Sequence, residues 1–435
     1  MPATRRSSAD ADRERPATRR RLMARVPWTA VAITLLVILG SGFAADPIRD
    51  AITGETVGEV VLTRSLAYIV LAPLSDVLDV LTLLSKAQHI AFVAAILVLF
   101  VVWRIVVAWR RRSTLRGHAL SFAAVLAGLV VLYAAMALLP RPMAYLTSED
   151  ANIVRVDFHS HTRASHDGRP GWGAEQNREW HRDGGYDVAY VTDHASVTEA
   201  ERGMARNPSP AGDGVTLLQG IEVTWTGEHV AILGAERTYK GLLTANGRDV
   251  DVEGLRLASL IPNREPAVIW NHPHHLDRLP IASGPRTPGV RAIEVSNGAP
   301  DSMDEVRRQR QAIFALATQH QLTMTSGTDN HGWGRTAPNW TLLVIYGWRA
   351  LSTDALATQI ENLVRNGSPE STRIIERRTA PSTSGLSVAA TIVTAPGVML
   401  ATMSSDERVS WLVWTWAITL LVWVVRRRRA LPGTP

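Results

Sequence analysis

The stretch Ile153-Val154-Arg155-Val156-Asp157-Phe158-His159-Ser160-His161-Thr162 decides the fold. Its β-branched and aromatic residues read as a strand, and successive strand side chains point to opposite faces. His159 and His161 therefore share one face at the carboxyl end of that strand, a spacing that suits a metal ion. Further strand candidates follow at Val188–Thr192, Thr216–Val223, His229–Leu233, Ala267–Trp270, Ala292–Val295 and Leu322–Thr325. Helical patterns lie between several of them, notably Ser302–His320 and Asp354–Arg365, the latter with Ser352 or Thr353 as N-cap. Alternation of this kind predicts a parallel α/β sheet, open or closed into a barrel.

Nearly every strand candidate meets a metal-ligand type of residue at one end. Asp193-His194 follows the second, Glu222 lies near the end of the third, His229 begins the fourth, His272 follows the fifth, and Asp329-Asn330-His331 follows the last. Parallel α/β folds gather their sites at the carboxyl ends of strands, so these scattered side chains converge. Imidazoles and carboxylates without sulfur suit Zn, Mn or Fe(II), and the set exceeds what one ion coordinates. Two or three divalent ions are implied. Single histidines elsewhere, His89, His118, His181 and His320, read as core or capping residues.

The chain has 435 residues, 46% of them hydrophobic, a net charge of +6 and no cysteine, which excludes disulfides, thiolate zinc sites and cysteine nucleophiles. Much of the excess arginine lies in three blocks that border apolar runs: the tail up to Arg25, Arg104 to Arg116, and Arg426 to Arg429. Membrane topology explains these blocks better than nucleic acid does, and no nucleic-acid binding is expected. Residues 1–26 read as a disordered basic cytoplasmic tail. Region 27–140 reads as transmembrane, with spans at 27–44, 90–109 and 119–140, and a stretch at 65–84 left interfacial or packed on the bundle because Asp76 and Asp79 oppose a crossing. The globular domain is set at 151–372, a linker or membrane-proximal segment at 373–408, a C-terminal span at 409–426 and a basic cytoplasmic tail at 427–435. With four spans, all three basic blocks fall inside and the globular domain is extracytoplasmic.

Five motifs occur in one order: His159-Ser160-His161-Thr162 with Asp167-Gly168, Thr192-Asp193-His194, Gly220-Ile221-Glu222, His272-Pro273, and Gly327-Thr328-Asp329-Asn330-His331. Together they resemble the polymerase-and-histidinol-phosphatase (PHP) superfamily of metal-dependent phosphoesterases, over about residues 152–370. The resemblance implies a distorted (β/α)7 barrel, here flanked by transmembrane helices, and a trinuclear site. It implies that His159, His161, Glu222 and Asp329 bind one ion, that Glu222 bridges to a second held with His272 and His229, and that Asp167, His194 and His331 hold the third. His166 competes with Asp167, which is preferred because Asp-Gly follows the family pattern. His274 and His275 compete with His272, and a structural role competes with metal binding at His229. Asp193 is expected to orient a ligand imidazole.

Three divalent ions, less the charges of Glu222, Asp329, Asp167 and a bridging hydroxide, leave about +2, which suits a phosphate mono- or diester. The expected reaction is in-line attack by that metal-bridging hydroxide, with His194 or a metal-bound water protonating the leaving oxygen. A lipid headgroup or cell-envelope intermediate is one form the ester can take. Among Arg163, Arg169, Arg278 and Arg335, the last is the preferred phosphate contact and catalytic candidate; Trp172, Trp225 and Trp333 are candidates for a pocket wall. The competing classes are a non-catalytic, metal-stabilised ectodomain and a metal-dependent amidohydrolase.

Overall fold

A computed structural model describes residues 27–110, 114–207, 214–234, 241–261, 266–284 and 287–430, with side chains to 427. The expected tail at 1–26 and the last five residues lie outside it. The chain divides into two compact units. In one, α1 (Trp28–Ser41) packs with the last helix, α13 (Ser405–Ala430), and Trp416 donates its indole N–H to Thr34 at 3.2 Å. Among the described residues three helices are long and apolar enough to cross a membrane, not four. With 14 residues, α1 rises only ~21 Å, short of the ~30 Å hydrocarbon layer.

The other unit, residues 45–402, holds the remaining two long apolar helices, α4 (Lys86–Arg110) and α5 (Leu115–Leu138), as a hairpin. Before them, α2 (Leu66–Val70) and α3 (Ala72–Thr82) form the stretch whose aspartates looked costly in a bilayer. Both aspartates are buried in protein instead. Tyr68 donates to Asp76 and Asp79 at 3.0 Å each, and Asp79 also meets Arg141 at 2.5 Å, Thr336 at 2.8 Å and Arg377 at 3.1 Å. Two arginines and a threonine from three distant parts of the sequence thus fold this segment onto the globular domain.

Twelve strands follow the chain as β1 (Ile48–Asp50), β2 (Val60–Arg64), β3 (Ala144–Ser148), β4 (Ile153–Ser160), β5 (Val188–Val191), β6 (Thr216–Trp225), β7 (Glu228–Leu233), β8 (Ala267–Asn271), β9 (Ala292–Asn297), β10 (Thr323–Gly327), β11 (Asn339–Val344) and β12 (Arg373–Arg377). Strands β2 and β3 pair alone; the others form one curled sheet in the order β1-β12-β11-β4-β5-β6-β7-β8-β9-β10. Of the expected distorted (β/α)7 barrel, a curled α/β half-barrel forms, without a clear sevenfold β/α repeat. The step from β6 to β7 is a two-residue hairpin through Thr226 and Gly227, both at positive φ, so β7 runs antiparallel to both its neighbours. Strands β11, β12 and β1 add an antiparallel flank, with β12 built from residues expected to begin a linker. The end of the sheet at β10 nevertheless curls back to β4: the Asp329 amide donates to the His159 carbonyl at 2.7 Å, and the His161 amide to the Asn330 carbonyl at 3.0 Å.

Helices α6 (Ala174–Gly184), α7 (Thr198–Met204), α8 (Val252–Ser259), α9 (Met303–His320) and α10 (Thr353–Asn366) cover the sheet. In α10, Leu356, Ile360 and Val364 recur at four-residue spacing, form one buried stripe and pack with Val156, Phe158 and Ile269. Ser352 caps the helix, its Oγ accepting from the Ala355 amide at 3.2 Å. On α9, Val306, Ile313 and Ala317 bury against Ile293 and Val295. Each such side chain contributes about 1.5–3 kcal/mol when fully buried. Residues 385–402 form two further helices, α11 (Gly385–Ala389) and α12 (Thr391–Thr402), which pack on α4.

Glu376 of β12 ties the flank to this core, meeting Arg49 of β1 and Arg310 of α9 at 2.7 Å each. Burial alone would raise its pKa, but the guanidinium groups of Arg310, Arg307 and Arg49 outweigh burial and hold it at about 2. Its stabilising contribution is therefore complete above the ordinary glutamate range and fades as the pH falls towards 2. Replacing Glu376 by Ala takes the carboxylate from the half-buried Arg49 and Arg310 and is expected to cost about 1–3 kcal/mol in chemical denaturation at pH 7, a deficit that shrinks as the pH is lowered.

Candidate metal centre

Strand registers deliver the side chains. His159 ends β4 and His161 follows it. Hairpin pairing sets His229 opposite Thr224, two residues from Glu222 on the same face of β6, and sets Asn271 opposite His229, which brings His272 alongside. Closure of the curl adds Asp329 and His331.

The Nε2 atoms of His159 and His161 face each other at 3.0 Å. Around them, Glu222 Oε2 lies 3.2 and 3.3 Å away, and Asp329 Oδ1 lies 3.4 and 3.2 Å away. Four ligand atoms ~2.1 Å from a tetrahedral ion stand ~3.4 Å apart, so this spacing fits one. A second set surrounds the other carboxylate oxygen: Glu222 Oε1 lies 3.1 Å from His229 Nδ1 and 3.6 Å from His272 Nε2. A third gathers at Asp167, whose Oδ2 is 3.1 Å from His331 Nε2 and 3.6 Å from His194 Nε2. His194 Nδ1 in turn sits 3.3 Å from Glu222 Oε2. Hard oxygen and imidazole donors without sulfur suit divalent Zn, Mn or Fe, and the described residues fit them.

All nine residues expected to bind metal thus come together, and the three open positions acquire a geometry, His229 by its Nδ1 at 3.1 Å from Glu222 Oε1. Asp167 points at His194 and His331, whereas the His166 side chain is 78% exposed and 3.8 Å from Asp167. His272 is buried in the cluster, while His275 Nδ1 and the His274 amide turn to Glu228 at 3.1 and 2.9 Å. His272 and Asp329 hold φ of +25° and +50°, and Ala195, which follows His194, holds +53°. Left-handed backbone costs non-glycine residues about 1–3 kcal/mol each and collects at sites where surrounding structure imposes it.

Several expectations are corrected. Arg335 does not reach the cluster: its guanidinium is taken by Asp183 and by the Arg141 carbonyl at 2.8 Å. Arg163 is paired with Glu199, Arg278 leans on Glu228, and Arg169 binds the Gly332 carbonyl and lies over Trp333. Asp193 orients no imidazole; its two oxygens accept from the amide and hydroxyl of Thr162 and fix the loop after His161. Of the three tryptophans, Trp172 and Trp225 are core residues and Trp333 lines the cavity.

The sequence reading also missed supports. Glu294 accepts from the His272 amide at 2.6 Å and lies 3.5 Å from His159 Nδ1. A Cβ on Gly327 would stand 2.1 Å from Glu294 and 2.4 Å from His159, so glycine alone fits between them. Asp157 accepts from the Thr328 amide and hydroxyl and from His181 at 2.8 Å, which pins the chain after β10 to β4. A carboxylate inside the apolar run Ala292–Val295 was the available signal for Glu294.

Burial alone would protonate Glu222 and Asp329, but His159 and His161 hold both carboxyls well below their ordinary range. Reciprocally, burial lowers His161, and hydrogen bonding to Asp329 and Glu222 overcomes it and pushes the ring up to about 9. His194 behaves oppositely: burial outweighs its acidic neighbours and brings it down to about 4. At neutral pH His194 is a lone-pair donor, so it is a poor source of the proton expected for a leaving group.

No family model matches the sequence. No curated protein matches it either. Solved structures give distant likenesses. PsfC from Pseudomonas syringae shares 18% identity, covering 58% of this chain and all of its own, with a TM-score of 0.36. A protein from Bifidobacterium adolescentis described as a metal-dependent phosphoesterase shares 15%, covering 41% and 88%, with a TM-score of 0.28. The lesion-specific endonuclease Q of Pyrococcus furiosus shares 14%, covering 51% and 57%, with a TM-score of 0.34. These likenesses are too remote to assign a family.

Ion binding at this cluster would displace the proton that Asp329 and Glu222 favour on His161. Adding Zn or Mn to metal-free protein at pH 7 in weak buffer is expected to release about one to two protons per chain, read with an indicator dye, and affinity should rise as the pH approaches 9.

Proposed function

We propose that this chain is an integral membrane protein carrying a PHP-type, metal-dependent phosphoesterase that hydrolyses a phosphate mono- or diester. The observation that carries the reading is Glu222, whose two oxygens each face a separate set of imidazoles at ion-sized spacing. When bound, divalent ions would lower the pKa of water and offset charge on the phosphoryl oxygens. His159, His161 and Asp329 would hold one ion, Glu222 would be shared, His229 and His272 would hold the second, and Asp167, His194 and His331 the third. With Arg163, Arg169, Arg278 and Arg335 each occupied elsewhere, the ester's charge falls to the ions themselves. Neutral His194 keeps its lone pair for binding, and Asp157 with Thr328 fixes the strand end that carries His159. Of the two lysines, Lys86 is paired with Asp301 at 2.8 Å and Lys240 lies outside the described residues, so the preference over a lysine-bridged amidohydrolase rests on the ligand set.

The membrane reading rests on α4, α5 and α13. Arg104 and Arg110 near one end of α4, Arg116 at the facing end of α5, and Arg426 and Arg427 at the end of α13 favour an inside position for those ends by the positive-inside rule, and for the basic tail before α1 to lie on that side α1 must cross as well. The opposite ends of α4 and α5 join the metal-bearing domain, which puts that domain outside the cytoplasm. Replacing His159 and His161 together by Ala is expected to abolish bound metal and turnover of bis-p-nitrophenyl phosphate; surviving turnover would overturn the assignment. A reporter enzyme active only outside the cytoplasm, fused after Gly298, is expected to be active, and an inactive fusion would refute the topology.

A further inference from the structure

The metal cluster opens into a cavity of about 410 Å³ whose far wall belongs to the membrane hairpin. Asp167, His194, Glu222 and His331 line one end, and Leu83, His89 and Met136 line the other. His89 lies three residues inside the start of α4, and Met136 two residues before the end of α5. The hairpin is fixed there. The Lys86 amide donates to the Pro300 carbonyl at 2.9 Å, the Gly334 amide donates to the Ala137 carbonyl at 3.0 Å, and both Pro300 and Gly334 line the same cavity. A Cβ on Gly334 would lie 2.9 Å from Thr82, so the loop from His331 is seated directly on the helix ends.

The chemistry changes along this space. The ligand end is polar and rich in imidazole. At the helix end, Leu83 and Met136 present apolar surface, and His89 Nδ1 meets the Tyr133 hydroxyl at 3.1 Å, making a polar link between α4 and α5 one turn inside their ends. Beyond that link, apart from the side of α4 on which α11 and α12 pack, the hairpin is open: none of the apolar stretch of α4 is buried, and Ile90, Val98 and Val130 are at least 60% exposed. A substrate lying across this space meets cations at one end and hydrocarbon at the other.

Resting on the phosphoesterase and membrane readings above, we propose that the substrate is an amphiphilic phosphate ester, its phosphate at the metal cluster and its hydrocarbon chain passing Met136 and Leu83 towards the bilayer. Water supplies the oxygen that bonds to phosphorus, the bond from phosphorus to the chain-bearing oxygen breaks, and the water's proton ends on that oxygen, leaving an alcohol in the membrane and phosphate in solution. A soluble ester would use only the ligand end. Each methylene buried against the helix end adds affinity that a short ester lacks.

The experiment uses the metal-loaded full chain in lipid nanodiscs and a series of alkyl phosphates from four to sixteen carbons, with p-nitrophenyl phosphate as the soluble reference. In the wild type, kcat/KM is expected to rise about ten-fold or more with chain length. In Met136→Trp, which fills the helix end of the cavity, the rise is expected to flatten while metal content stays at the wild-type level. A flat series in the wild type overturns the amphiphile assignment and leaves the phosphoesterase reading standing. A rise that persists unchanged in metal-replete Met136→Trp assigns the effect to partitioning into the disc and also overturns it. Absence of turnover for every ester, p-nitrophenyl phosphate included, defeats the phosphoesterase reading and this inference with it.

Discussion

A carboxylate that is 1% exposed cannot remain ionised without cations beside it, and Glu222 is in that position. Most of the site geometry answers this constraint. The β6–β7 hairpin puts His229 on one oxygen, the β4 terminus puts His159 and His161 on the other, and the turn into His272 accepts a left-handed backbone to complete the set. Without metal, protons on the imidazoles supply the positive charge; with metal, ions take their place. The fold therefore carries a demand for cations at one fixed point, and the curled sheet converges on it.

Strands with long apolar runs were legible. The strand read as Ile153–Phe158 forms as Ile153–Ser160, and the helix read as Asp354–Arg365 with Ser352 or Thr353 as cap forms as Thr353–Asn366 with Ser352 as cap. Strand β12 was not legible, since Arg373-Ile374-Ile375-Glu376-Arg377 reads as a charged linker until Arg49 and Arg310 arrive from elsewhere to neutralise Glu376. The same holds for Asp76 and Asp79, whose partners lie at positions 68, 141, 336 and 377. A single chain displays its charges but not who will meet them.

At the metal centre, residue type and strand position sufficed to name the converging side chains, because few other reasons gather imidazoles and carboxylates at strand ends. Proximity in sequence was a poorer guide to phosphate contact. Arg335 stands four residues from His331 yet turns back to Asp183, while His89, more than two hundred residues away, lines the same cavity. Glu294 and Gly327 show the other limit: their importance comes from a close approach between β9, β10 and His159 that no local pattern announces.

The curl closes where backbone at His159 and His161 bonds to backbone at Asp329 and Asn330. Strands β5 to β10 lie between those positions in the chain. During synthesis, the first two histidines emerge long before the carboxylate that completes their set, so metallation is a late event in the life of the molecule. If the domain is exported as proposed, the ion is drawn from the supply on the far side of the membrane, and that compartment's metal availability, more than the ligands' intrinsic preference, chooses which metal the protein carries.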